Sequence, residues 1–165
     1  MGIGLGGAVR NAELRREAKR YLNLANAFLA PPKPVLIAVG GLSGTGKTTL
    51  ARALAPLIGV APGAVVLRSD VIRKRLAGVH PLDRLPQSAY RLEATHQVYA
   101  AINRLAKIVL ASGQSVIADA VFAEPRERQA IEKVAVHLNL PFIGLWLYAP
   151  TPTLAKRLIG RRFDA

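Results

Sequence analysis

The sequence predicts an α/β fold, a three-layer sandwich built around a mostly parallel sheet. From residue 34 onward, short apolar runs rich in β-branched residues alternate with helical patterns, the order typical of βαβ units. Such strands are buried on both faces and are joined by right-handed crossovers. With 165 residues, 51% of them hydrophobic, the chain is expected to form one domain with a sizeable core.

The elements follow one another in a regular order. Apolar residues at spacings of three and four predict an amphipathic helix over 11–30, and the prolines at 31, 32 and 34 end it. Residues 1–33 are therefore predicted to be a linker helix and proline hinge, and 34–165 the domain. Strands are predicted over 35–39, 65–67, 115–118 and 142–148. Helices are predicted over 48–58, 70–76, 88–111, 125–138 and 152–162.

The charge balance points to an anionic ligand. Lys and Arg number 23 against 10 Asp and Glu, a net charge of +13, and a field of that sign attracts nucleic acid, anionic membrane or phosphorylated small molecules. The alternative is that the chain is a piece of a larger protein whose acidic part lies elsewhere. The absence of cysteine excludes disulfides and thiol catalysis. Neither a membrane span nor a secretory leader is expected from the sequence. A cytoplasmic location is expected.

The strongest motif is a phosphate-binding loop, which spans Gly41, Leu42, Ser43, Gly44, Thr45, Gly46, Lys47 and Thr48 and matches G-x-x-x-x-G-K-[ST]. Glycines let consecutive backbone N–H groups approach phosphate without a Cβ in the way. In this pattern Lys47 contacts the β- and γ-phosphates, and the Thr48 hydroxyl is a ligand for Mg²⁺. The motif follows a predicted strand and opens a predicted helix, whose positive end also favours the anion.

Asp70 is the candidate base that would activate the hydroxyl group of the molecule that accepts a phosphate. It comes just after the second predicted strand, and ligands of an open parallel sheet bind beyond the carboxyl ends of its strands. Arg73 lies one helical turn further on, so it can share a face with Asp70 and bind an anionic group of the acceptor. The alternative for Asp70 is a helix cap. Arg126, after the third strand, is a candidate substrate contact or a solvated charge.

Two further sets of residues are candidates for the metal and the transferred phosphate. Asp119 ends the apolar run 116–118, which suits a carboxylate of the Mg²⁺ shell, although it also suits an ordinary polar residue at a strand end. Arg157 and Arg161 are four apart, hence on one helical face, and could close over a triphosphate as lid residues. The alternative is that both arginines are solvent-exposed charges at the end of a basic helix.

These residues resemble those of the AAA_33-type P-loop kinases. The resemblance rests on 40–49, 67–74 and 116–122 and covers about 34–164. It implies a kinase-type fold with a helical lid, a nucleotide site that includes Thr49, catalytic roles for Lys47, Asp70, Arg157 and Arg161, and substrate roles for Asp70 and Arg73. It looks most similar to the ATP-binding domain fused to an aminoglycoside-phosphotransferase-like domain. Relatives of this kind continue past the lid, so the resemblance implies that 34–165 lacks C-terminal elements.

The predicted activity is ATP- and Mg²⁺-dependent transfer of the γ-phosphate to an acceptor hydroxyl. The acceptor is a small molecule or a nucleotide, nucleic acid is compatible with the charge but not favoured, and no membrane partner is expected. A fused or partner kinase-like domain is implied by the resemblance. Two alternatives stay open: a nucleotide-binding regulatory module without kinase activity, and a nucleic-acid-binding domain that acts through charge alone.

Overall fold

The computed structural model describes residues 4–160 and divides the chain into two compact units, 1–32 and 33–165. The first unit contains helix α1, Gly4–Leu29, which begins seven residues earlier than predicted and ends just before the prolines. Every α1 residue whose side chain is described is exposed. Across residues 4–160, no helix has both the length and the apolar character needed to cross a membrane.

The second unit is built on four parallel strands, β1 (Leu36–Gly41), β2 (Val65–Arg68), β3 (Val116–Asp119) and β4 (Phe142–Leu147). Their spatial order is β2-β3-β1-β4, and every pairing among them is parallel. The predicted α/β fold with a mostly parallel sheet is therefore confirmed. This order places the end of β1, from which the glycine-rich loop departs, between the ends of β3 and β4.

The helices of this unit are α2 (Lys47–Leu54), α3 (Ser69–Leu76), α4 (Leu92–Ala111), α5 (Pro125–His137) and α6 (Thr151–Gly160). Two of them, α2 and α4, are shorter than predicted by three residues or more. After Leu54 the chain continues as a 3₁₀ turn, because Pro56 has no N–H to donate to a regular helix. The predicted helix over 88–111 begins only at Leu92, since the backbone of Arg91 is extended and separates α4 from a preceding 3₁₀ turn, Gln87–Tyr90.

Alternate residues of the central strands bury two different faces. Leu36 and Ala38 of β1 belong to a cluster that also holds buried residues of α3, α4 and α5. Ile37 and Val39, which point to the other face, pack with residues of α2. The period-two alternation of strand side chains thus produces the three layers, with β1 and β3 buried throughout.

One polar contact of this core supports the loop that follows β3. Phe122 has φ +52°, a left-handed conformation that is uncommon for a large residue, and its N–H donates to the Tyr99 hydroxyl of α4 at 3.0 Å. The two rings also pack, with centroids 5.5 Å apart. Burial raises the pKa of Tyr99 to about 12, and repulsion from Glu127 adds to the rise, against opposing effects of the Phe122 N–H and Arg73. The neutral hydroxyl is therefore the form that the fold favours.

Tyr99→Phe is expected to lower the free energy of unfolding by about 1 kcal/mol at pH 8, because the Phe122 N–H loses its acceptor. In the unfolded chain tyrosine titrates near pH 10, whereas folded Tyr99 keeps its proton to about pH 12. The stabilisation that the neutral Tyr99 hydroxyl gives the folded state is therefore fully present below pH 10 and is lost as the pH rises toward 12. Urea titrations of both proteins at pH 8 to 12 should show the wild-type advantage shrinking. An advantage that stays constant over that range, or an equal change in the control Tyr148→Phe at an exposed position, would contradict this account.

Candidate functional site

The carboxyl ends of β1, β2 and β3 meet at one cavity of about 170 Å³. Its walls come from the glycine-rich loop, the start of α2, the β2–α3 junction and the end of β3, and are formed by Ser43, Gly44, Gly46, Lys47, Thr48, Arg68, Ser69, Asp70, Asp119 and Val121. This is the edge of an open parallel sheet at which ligands bind. The structure therefore brings together seven predicted site residues: Ser43, Gly44, Gly46, Lys47, Thr48, Asp70 and Asp119.

The glycine-rich loop owes its shape to backbone that side chains rarely allow. Gly44 and Gly46 have φ values of +89° and +93°, and a Cβ on Gly46 would meet nothing within 4 Å, so the space beside it is open. The Thr45 hydroxyl and the Lys47 ammonium both donate to the Leu42 carbonyl, each at 2.8 Å. These two bonds draw the loop around the N-terminus of α2. Its N–H groups and the lysine are thereby held as an anion-binding cradle.

Gly41 anchors the start of the loop between two strands. Its φ is +135°, and a Cβ there would collide with the carbonyl oxygen of Leu147, its register partner on β4. Its N–H donates to the Val121 carbonyl at 3.1 Å, which ties the loop to the segment after β3. A side chain at this position would have to push two paired backbones apart.

We expect Gly41→Ala to lower the free energy of unfolding by about 3 kcal/mol, from backbone strain and the collision with Leu147 together. Gly144→Ala on β4 is the matched control, because a Cβ there meets only ring atoms of Phe142, at 3.7 and 3.9 Å. Denaturant unfolding of both variants measures the difference. Equal losses in the two variants would show that the close approach of Leu147 does not constrain position 41.

Thr48 and Asp119 form the oxygen pair that fits a hard cation. The Thr48 hydroxyl donates to Asp119 Oδ2 at 2.5 Å, and Asp119 is 4% exposed. Within residues 4–160, no cluster of three His, Cys, Asp or Glu side chains could enclose a metal by itself. Mg²⁺ suits such a sparse set, since it usually keeps several waters and takes phosphate oxygens beside one or two protein groups.

Asp70 lies in the first turn of α3 with an exposed side chain that borders the cavity. Among the described residues, its carboxylate takes part in no hydrogen bond or ion pair. The capping interpretation therefore gains no support, because the N-cap position is Arg68 and α3 has no side-chain cap bond. The Asp70 carboxylate is free to accept a proton from a hydroxyl group.

Helix α6 lies against the glycine-rich loop. Arg157 donates from its guanidinium to the Gly44 carbonyl at 2.9 Å, and a Cβ on Gly44 would lie 3.5 Å from the side chain of Leu154, which is 8% exposed. Of the two predicted lid arginines, Arg157 thus reaches the phosphate loop directly. Arg161 lies outside the described residues, and its lid role stays a prediction.

Two arginines predicted to bind substrate lie away from the cavity walls. Arg73 was expected to share a face with Asp70, but its guanidinium donates to the Ala89 carbonyl at 2.6 Å and to the Thr95 hydroxyl at 3.2 Å. It also lies over the Tyr90 ring, 5.2 Å from the centroid. Arg126 is exposed in the first turn of α5. Their substrate roles stay predictions, as does the assignment of Thr49, which does not line this cavity.

Sequence reasoning missed three residues that line the cavity: Arg68, Ser69 and Val121. Arg68 ends β2 beside Asp119 of β3, its register partner, and Val121 lines the wall after β3. Arg68 carried a signal: a cation at the carboxyl end of a predicted strand, two residues before the candidate base. Val121 carried none, because an apolar residue after a strand is indistinguishable from core.

A parallel three-layer fold with this loop between the first strand and α2 defines a P-loop NTPase of the kinase-like type. The chain belongs to the AAA_33 family, an AAA domain whose model matches residues 36–165. The predicted resemblance is thereby confirmed.

Named relatives extend this result. Uncharacterized proteins of Mycobacterium bovis and Mycobacterium tuberculosis are 31% identical over 153 residues, which cover 90% of this chain but 30% of theirs, so the chain spans under a third of their length. An adenylyl-sulfate kinase of Myxococcus xanthus is 28% identical over 71% of this chain and 59% of its own. The structure of Mycobacterium tuberculosis APS kinase CysC with AMPPNP and APS is similar in fold, with a TM-score of 0.61 at 21% identity, covering 82% of this chain and 78% of that one.

Proposed function

We propose that this domain is an ATP-dependent kinase that transfers the γ-phosphate to the hydroxyl group of a small-molecule or nucleotide acceptor. One observation carries the proposal: a free carboxylate, Asp70, faces the same cavity as the phosphate loop. The kinase-like fold and the AMPPNP complex of a structural neighbour support the use of a nucleoside triphosphate. The cytoplasm, the location expected from the sequence, supplies ATP.

The residues around the cavity have separate roles in the proposed phosphoryl transfer. Lys47 and the loop N–H groups bind the β- and γ-phosphates, and Asp70 takes the proton of the acceptor hydroxyl as its oxygen attacks the γ-phosphorus. The new bond joins that oxygen to phosphorus, the bond to the bridging oxygen breaks, and ADP leaves. Arg157, which already contacts the loop, would stabilise negative charge on the transferred group.

Thr48 and Asp119 would hold the metal side of the site. Mg²⁺ bound there would neutralise charge on the β- and γ-phosphate oxygens. The buried Asp119 carboxylate fixes the Thr48 hydroxyl in place, so the chain supplies two oxygen groups already oriented toward the cavity.

The test has two stages on the full chain. Calorimetric titration with AMPPNP, with and without Mg²⁺, should show binding that requires the metal. ADP release from ATP is then measured against a panel of acceptors that includes sugars, nucleosides, aminoglycosides and 5′-hydroxyl oligonucleotides. Acceptor-dependent ADP release supports the proposal. Metal-dependent binding without release on any acceptor would favour the regulatory module, for which the greater length of the mycobacterial relatives leaves room.

A further inference from the structure

We propose that Arg68 binds the transferred phosphoryl group, as a phosphate-binding cation in addition to Lys47 and Arg157. This inference rests on the proposed kinase function and deepens it, because it assigns a role to a residue outside the phosphate loop.

The position of Arg68 follows from the sheet. It is the last residue of β2 and pairs in register with Asp119, the last residue of β3, so both side chains leave the sheet at the same edge. Its side chain lines the cavity together with Lys47 and Asp70 and is 28% exposed. A partly exposed arginine at that edge can reach a ligand without any change of the sheet.

Among the described residues, Arg68 forms a long ion pair with Asp119 and keeps one hydrogen-bond donor unused. Its Nε is buried and has no hydrogen-bond partner in the part of the chain that the structure describes. The nearest acidic atom, Asp119 Oδ2, is 3.8 Å away, beyond hydrogen-bond distance, and already accepts the Thr48 hydroxyl. A buried donor without an acceptor is costly, and a turn of the partly exposed Arg68 side chain toward phosphate oxygens in the cavity would satisfy it.

The phosphate in question is the terminal one. Lys47 and the loop bind from the β1 side of the cavity, whereas Arg68 and Asp70 are two residues apart on the β2–α3 side. The group that passes from the nucleotide to the acceptor must lie between these two walls. Arg68 would therefore contact an oxygen that ATP has and ADP lacks.

The experiment compares two nucleotides on one variant. We expect Arg68→Met to weaken Mg²⁺·AMPPNP binding by about 10- to 100-fold, the value of hydrogen bonds to a charged group, and to change Mg²⁺·ADP binding less than about threefold. Arg75→Met, which removes the same charge from an exposed position on α3, is the control and should change neither. Arg68→Lys keeps the charge but loses the planar guanidinium with its several donors. It should weaken AMPPNP binding less than Arg68→Met does, and it should leave ADP binding unchanged.

Three outcomes would overturn the role of Arg68 and leave the proposed kinase function intact. Unchanged AMPPNP affinity shows that it does not contact the terminal phosphate. Equal losses for ADP and AMPPNP show that it does not recognise the terminal phosphate. Equal losses in Arg75→Met show an effect of net charge. If Arg68→Met does not fold, Arg68→Lys decides by the same two titrations. A wild-type chain that binds neither nucleotide overturns the proposed function itself.

Discussion

Asp70→Asn should reduce acceptor-dependent turnover by at least about 100-fold and leave AMPPNP affinity within about threefold of wild type. General-base catalysis contributes about 10²- to 10⁴-fold, and an amide cannot take the acceptor proton. Nucleotide affinity should survive because the Asp70 carboxylate bonds to none of the described residues and borders the cavity opposite the phosphate loop. The measurement pairs ADP release, on the acceptor found in the screen, with calorimetric titration of the same variant.

The control for this change is Asp83→Asn. Asp83 is exposed in the proline-rich loop before the Gln87–Tyr90 turn, and the substitution there makes the same change of charge and shape. It should leave turnover unchanged. Full turnover in Asp70→Asn would exclude Asp70 as the base. Tight nucleotide binding in the absence of any turnover, by wild type and variant alike, is what a regulatory module would show.

Lys47→Ala is expected to weaken Mg²⁺·AMPPNP binding by about 100-fold or more, which corresponds to about 2.7 kcal/mol. The substitution removes the ammonium that contacts the β- and γ-phosphates in this motif, and also the bond to the Leu42 carbonyl that closes the loop. Because the loss has both sources, ADP binding should weaken as well. This dual loss distinguishes Lys47 from Arg68, whose expected effect is confined to the triphosphate.

Lys107→Ala, at an exposed position of α4, lowers the net charge by the same amount and should not alter nucleotide affinity. Titration at two salt concentrations completes the comparison. If binding of an oligonucleotide falls steeply with salt and is equal in wild type and Lys47→Ala, a domain that binds nucleic acid through charge is the better description. Nucleotide binding that Lys47→Ala abolishes identifies a working phosphate loop.

The sequence by itself determined the order of elements and the phosphate loop. Strands β1 and β3 are continuous apolar runs bounded by glycine or a polar residue, so their type could be predicted from a few neighbouring residues. The loop motif is equally local, because its glycines and Lys47 act within eight consecutive residues. The ends of two helices were predicted less accurately, because Pro56 and Arg91 each interrupt a helical pattern that spacing alone would continue.

Only the tertiary structure decided which side chains meet around that loop. Spacing predicted that Arg73 could share a helical face with Asp70, and only the structure shows that its guanidinium bonds to the Ala89 carbonyl and the Thr95 hydroxyl. Arg68 enters the site because β2 and β3 are register partners, and Arg157 because α6 returns to Gly44, 113 residues away in sequence. A helical period relates residues three or four apart, whereas contacts of this range depend on strand order and on which helix covers the loop. Those are properties of the packed core and not of any segment.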